Sequence, residues 1–207
     1  MKILAIDTSS KNASVAITEN EEKLIELNNS EEKTHSQKLM PMIDKALKET
    51  STSLDDINLI VCCLGPGSFT GVRIGIATAK AFADSKNIPV VGMSSLESLA
   101  YNLNTEGYIC SLIDAGHGNT YTGFFRIGKD ENNNFQTVQE NLTFLDLKNE
   151  EGNITEKKLI DFLEDNIKND KEKIIYFVGD GTTLYKDMLQ NLKKSDYIIK
   201  LSNDFQN

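Results

Sequence analysis

The sequence predicts an α/β protein made of two related domains, each a mixed sheet flanked by helices. Three observations carry that prediction. Over the first hundred residues, apolar runs with strand character alternate with segments of helical period. The second half then reopens with the same strand, turn, strand pattern. Asp7 and Asp114 close apolar runs 107 positions apart, and Asn12 and Asn119 stand at the same separation. That spacing is about half of the 207 residues, as a duplication requires. The expected division is 1–104 and 105–207, with the junction near 101–108.

Taken in order, residues 2–7 read as a strand and 13–18 as a second with alternating faces; turn residues between them imply a hairpin. A third strand near 23–28 extends the pair into a meander. After the acidic stretch from Ser30 to Lys33, Leu39, Ile43, Ala46 and Leu47 recur at helical spacing, giving an amphipathic helix over 35–49 with Pro41 early in it. Residues 59–64 have no polar face, as in a strand covered on both sides. The glycine-rich run 65–71 turns that strand into a small-residue helix over 72–83. Residues 88–92 form a short strand, and Ser95 opens a further helix. In the second half, strands are expected at 109–113 and 120–127, followed by an irregular Asn- and Glu-rich stretch. A helix at 155–168, a strand at 174–178, a turn at Gly179-Asp180-Gly181, a helix at 183–193 and a strand at 197–201 complete the chain.

Composition narrows the function. With 39% hydrophobic and 26% charged residues and three prolines, the chain has globular composition. Its 22 basic and 31 acidic side chains give a net charge of -9, which argues against unaided nucleic-acid binding. The apolar run at 3–6 meets Asp7 too soon for a signal peptide, and no run approaches a membrane span. Cys62 and Cys63 are adjacent and Cys110 stands alone, so neither a disulfide framework nor a CxxC site is present. A cytoplasmic protein without membrane attachment is expected.

Asp7 and Asp114, each ending a strand before a polar turn, suit a phosphate or its cation, with Gly179 and Gly181 as a third loop on such a cleft, although such residues after strands are more often ordinary turn initiators. The run from Gly65 to Gly75 is neither a Walker loop, since Val72-Arg73 stands where Lys-Ser/Thr is required, nor a dinucleotide fingerprint. Ser68 or Thr70 caps its helix. Gly71, Gly75 and Ala79 share one helical face. That face is either pressed on the chain's own sheet or shared with another subunit together with the 35–49 helix, whose Met40 and Met42 suit irregular contacts. His35 and His117 are the only histidines and form no HxxxH or HExxH pair. Ser9, Ser10 and Ser68 lack an oriented His-Asp relay, and no residue is assigned a catalytic role.

The run Ile6-Asp7-Thr8-Ser9, the pair His35-Ser36 with Leu39 and Pro41, the loop from Gly65 to Gly75, and Ser94-Ser95-Leu96 together resemble the TsaB family of bacterial tRNA threonylcarbamoyladenosine biosynthesis proteins. The likeness is closest over about the first 125 residues. It implies a duplicated actin-like (ASKHA, ribonuclease H-like) fold. It implies a non-catalytic role beside a catalytic paralogue, TsaD, which carries the histidine metal ligands, and an ATPase, TsaE, with tRNA reached through the complex. Here Leu39 stands four residues after His35, where a second histidine would be needed. The family's interface helices correspond to 35–49 and the helix from about Val72. That correspondence puts His35, Leu39, Met42, Ile43, Gly71, Gly75 and Ala79 at a partner interface, used for a homodimer when the paralogue is absent. No cofactor is required on this reading, with weak ATP-magnesium binding at the vestigial cleft of Asp7, Asp114, Gly179 and Gly181. The alternative is an independent ATP-dependent kinase or hydrolase in which both aspartates hold magnesium. Two departures stand out: Asp114-Ala115-Gly116 and Asn119 replace a more charged pattern, and a C-terminal helix common in the family is expected to be short or missing.

Overall fold

A computed structural model describes residues 1–20, 22–29, 35–103, 105–167, 174–192 and 198–201. The acidic stretch from Ser30 to Lys33, residue 104 and the element ends expected at 168, 193 and 197 lie outside them. The described residues divide into two compact units, 1–95 and 96–201.

In the first unit, β1 (Lys2–Asp7), β2 (Ala13–Glu19) and β3 (Glu22–Asn29) form an antiparallel meander. Helix α1 (His35–Glu49), β4 (Leu59–Cys63), α2 (Phe69–Lys86) and β5 (Val90–Met93) follow. β4 runs parallel to β1 and β5 parallel to β4, giving the sheet order β3-β2-β1-β4-β5. Alternation decides what is buried. Leu4, Ile6, Val15, Ile17, Ile60 and Cys62 point to one face and meet Leu39, Ile43, Ala46 and Ala79 of the two helices. Helix α2 is longer than expected at both ends. The Ser68 hydroxyl accepts from the Gly71 amide at 3.2 Å, and Asn87, at φ 52°, closes the helix in the left-handed region where asparagine is tolerated.

The second unit repeats this topology. Short α3 (Ser95–Tyr101) leads to β6 (Gly107–Gly116), β7 (Asn119–Lys129) and β8 (Phe135–Asp146), then α4 (Lys157–Asn166), β9 (Ile174–Val178), α5 (Gly181–Leu184), α6 (Lys186–Leu192) and β10 (Ile198–Leu201). The sheet reads β8-β7-β6-β9-β10, so β6 to β10 answer β1 to β5 one for one. Residues on both faces are buried: Cys110, Leu112, Phe124 and Phe177 against Leu159, Leu163 and Leu189 on one side, Ile109, Phe125 and Val178 against Leu96 and Ala100 of α3 on the other. That packing places α3 with the second unit beyond Ser95, ahead of the junction near 101–108. Two further differences from the sequence reading appear. The stretch read as irregular contains the twelve-residue strand β8, and the helix expected over 183–193 is broken at Tyr185.

Candidate functional site

The aspartate that ends the first strand is bound up in its own turn. One carboxylate oxygen of Asp7 accepts the Ser9 amide at 2.7 Å, and the Ser9 carbonyl accepts the Ser68 amide at 2.6 Å, which ties the glycine-rich loop to the end of β1. The buried Thr8 hydroxyl donates to the Gly71 carbonyl at 2.7 Å. On the other side of the loop, the Ser95 amide donates to the Gly65 carbonyl and its hydroxyl to that of Pro66. The thiol of Cys63 is pushed up from 9.0 to about 11, chiefly by burial and then by the nearby charge of Asp7. No catalytic thiol results.

These contacts decide between the two readings of the small-residue face. A Cβ at Gly71 would lie 2.0 Å from the Thr8 carbonyl oxygen, and one at Gly75 2.5 Å from the Thr8 hydroxyl. Ala79 is fully buried in the core, as are Leu39, Met42 and Ile43 apart from slivers of surface. The face of Gly71, Gly75 and Ala79 is therefore pressed on the chain's own first strand, and the interface expected of these six residues is corrected to an internal packing surface. His35, half-buried at the start of α1, has its ring beside Gly71, with Nδ1 buried and unpartnered.

The opposite side of α2 was missed. Two residues along an α-helix turn it by about 200°, so the positions offset by two from the glycine stripe point outward. They are Phe69, Arg73, Ala77 and Ala81, all exposed. Phe69 is 71% accessible and carries the Arg73 guanidinium 4.0 Å above its ring. On α1, Met40 is 50% accessible and Pro41 is exposed. The four-residue spacing that drew attention to Gly71 and Gly75 was also the signal for this second line.

In the second unit Asp114 repeats the role of Asp7. Its carboxylate accepts the Gly116 amide at 3.0 Å and the Tyr185 hydroxyl at 3.0 Å, while its own amide donates to Asp180 at 3.0 Å. Burial, followed by the hydrogen bond to Asp114, pushes the Tyr185 phenol up to about 12. Gly179 has φ +97°, and a Cβ there would lie 2.2 Å from the Leu112 carbonyl oxygen; one at Gly181 would lie 2.8 Å from the Leu112 Cβ. Close approach to β6 thus accounts for both glycines. Asp7 belongs to the first unit and Asp114, Gly179 and Gly181 to the second. Among the described residues no group of three His, Cys, Asp or Glu is placed to hold a metal. Each aspartate organises its own turn through one carboxylate oxygen. Among the described residues, no helix is long and apolar enough to cross a membrane.

Comparison with known proteins gives these features a family. The family model described as TsaD, tRNA N6-adenosine threonylcarbamoyltransferase, matches residues 27–206. The tRNA threonylcarbamoyladenosine biosynthesis protein TsaB of Bacillus subtilis (strain 168) is 33% identical over 193 residues, spanning 93% of this chain and 76% of that protein. The protein of the same name from Escherichia coli (strain K12) is 37% identical over 135 residues, which cover 64% of this chain and 57% of the relative. The structure of YeaZ from Pseudomonas aeruginosa covers 99% of this chain, and is itself covered to 85%, with a TM-score of 0.74 at 22% identity, and so shares its fold. The two five-stranded sheets of one topology are the duplicated actin-like (ASKHA) architecture. Identity sustained along nearly the whole chain, on that fold, shows that the protein belongs to the TsaB family of tRNA threonylcarbamoyladenosine biosynthesis proteins.

Proposed function

We propose that this chain is the non-catalytic partner of a TsaD-like subunit in the transfer of threonylcarbamoyl from its adenylate to N6 of adenosine 37 in tRNA. The observation that carries the reading is the sequence identity to TsaB along 93% of the chain. The residues support it. One histidine begins α1 with Leu39 four positions on, and the strand-end aspartates serve their own turns.

The docking surface we infer is the outer side of α1 and α2, centred on Met40, Phe69, Arg73 and Ala77. An exposed aromatic ring stacked by an arginine has the chemistry of an interface anchor, and the alanines beside it let a facing helix approach closely. The same surface serves a homodimer when the paralogue is absent. A TsaE-like ATPase completes the complex, and tRNA meets surfaces supplied by the partners, because a net charge of -9 disfavours direct phosphate contact. The chain works in the cytoplasm with no cofactor of its own.

Calorimetric titration with the TsaD-like subunit tests the reading. Saturable binding by the wild-type chain is expected, with a loss of about ten-fold or more for Ala77→Arg. Absence of wild-type binding overturns the partnership; undiminished binding by Ala77→Arg overturns the assigned face.

A further inference from the structure

Strand β8 forms an outer edge of its sheet, paired with β7 on one side only. Outer strands expose unpaired backbone groups and are ordinarily shielded by charge or shortness. The corresponding strand β3 carries Glu22, Lys23 and Glu26, the last two joined in an ion pair at 2.7 Å, and β5 has only four residues. β8 is twelve residues long and carries only two charges, Glu140 and Asp146. Its first part is closed off: the register shifts near Val138, and the Thr137 amide and hydroxyl both donate to the Tyr101 hydroxyl, at 2.7 and 3.0 Å. From 139 to 146 the strand pairs regularly with β7.

Over that stretch Glu140, Leu142 and Phe144 lie opposite Phe125, Gly123 and Tyr121. Leu142 is 44% and Phe144 55% accessible, and the Phe144 ring meets that of Tyr121 edge-on with centroids 5.4 Å apart. The apolar row is bordered by negative charge. Burial first, and then the nearby charge of Glu140, raise the carboxyl of Glu97 on α3, and none of the ion pairs among the described residues includes either glutamate. Asp146, at the far end, is balanced by Lys158 at 3.8 Å.

We infer that residues 139–146 of β8 form a docking edge for an extended protein segment that alternates apolar and basic side chains. The segment adds to the sheet as a further strand, covering Leu142 and Phe144 while its Lys or Arg side chains reach Glu140 and Glu97. A second copy of β8 is the wrong occupant, because β8 contains no Lys or Arg and self-pairing would bring acidic strands together. The inference is independent of the α1 and α2 surface.

The test uses the full chain and a synthetic nine-residue peptide alternating valine and lysine, with blocked ends, read by amide hydrogen exchange. Saturable slowing of exchange, five-fold or more and confined to 139–146, is expected. A peptide with glutamate in place of lysine is expected to bind at least ten-fold more weakly, and Glu140→Lys to reverse that preference with the far-UV circular dichroism unchanged. Any one of four results overturns the inference: no saturable protection, protection centred elsewhere, equal protection by both peptides, or protection of 139–146 that rises with chain concentration when no peptide is added.

Discussion

Gly75→Ala separates an internal α2 stripe from a shared one, because the two placements give opposite results in the isolated chain. The new methyl would lie 2.5 Å from the Thr8 hydroxyl oxygen, whose hydrogen goes to the Gly71 carbonyl at 2.7 Å inside the unit. α2 must move off β1 or Thr8 must rotate, and either displacement breaks that bond. Overpacking of this kind costs about 1–3 kcal/mol and a lost buried hydrogen bond about 1 kcal/mol, while replacing a helical glycine by alanine returns about 1 kcal/mol. The net expectation is a destabilisation of about 2 kcal/mol, seen as a fall of roughly 4–8 °C in the melting temperature. In a Thr8→Ala background the same change should cost about 1 kcal/mol less, since the obstructing hydroxyl is gone. Thermal and urea unfolding of all four proteins provides the assay. A Gly75→Ala chain as stable as wild type, or more stable, would refute the internal placement and return Gly75 to a surface awaiting a partner.

Phe69→Ala should leave the stability of the isolated chain within about 0.5 kcal/mol, because the ring is exposed, yet weaken binding to the TsaD-like subunit by at least about ten-fold in calorimetry. Gly179→Ala should destabilise by about 3 kcal/mol through its left-handed backbone and the clash with the Leu112 carbonyl, measured by urea unfolding, and added magnesium-ATP should not restore the loss. Cys63 predicts a pH dependence. Its thiol titrates at about 11 folded and near 9.0 unfolded, so the folded chain holds the proton more tightly. The resulting stabilisation, roughly 2–3 kcal/mol, is present below pH 9 and lost as pH rises from 9 to 11. Tyr185, raised in the same sense, adds to the fall above pH 10. Urea midpoints recorded from pH 7 to 11 should drop less for Cys63→Ala than for wild type.

How much of this was legible in the sequence depended on burial. β1, β4 and β9 announce themselves because packed strands need uninterrupted or alternating apolar residues, and α1 because Leu39, Ile43 and Ala46 recur on one face. β8 did not, because an edge strand exposed along most of its length has no reason to alternate; Gln136, Gln139, Glu140 and Asn141 read as a loop. The duplication held the missing signal. A meander of β1, β2 and β3 in the first half calls for a third strand after β7 in the second. The break at Tyr185 was equally silent, since it depends on bringing a phenol to Asp114 across 71 positions of sequence. For the site, spacing showed which residues of α2 share a face but not what that face touches. The glycines proved to be marks of close approach to Thr8, and the exposed line lay half a turn away.

The central claim is that this TsaB-family chain supports a reaction carried out by another subunit. Reconstituting threonylcarbamoyl transfer to tRNA with this chain alone, with the TsaD-like subunit alone, and with both, each in the presence of the ATPase and the adenylate, tests it most directly. Modified tRNA should accumulate only when both subunits are present, and Phe69→Ala should depress that yield. Modification by this chain without the TsaD-like subunit, or full modification in its absence, would contradict the account.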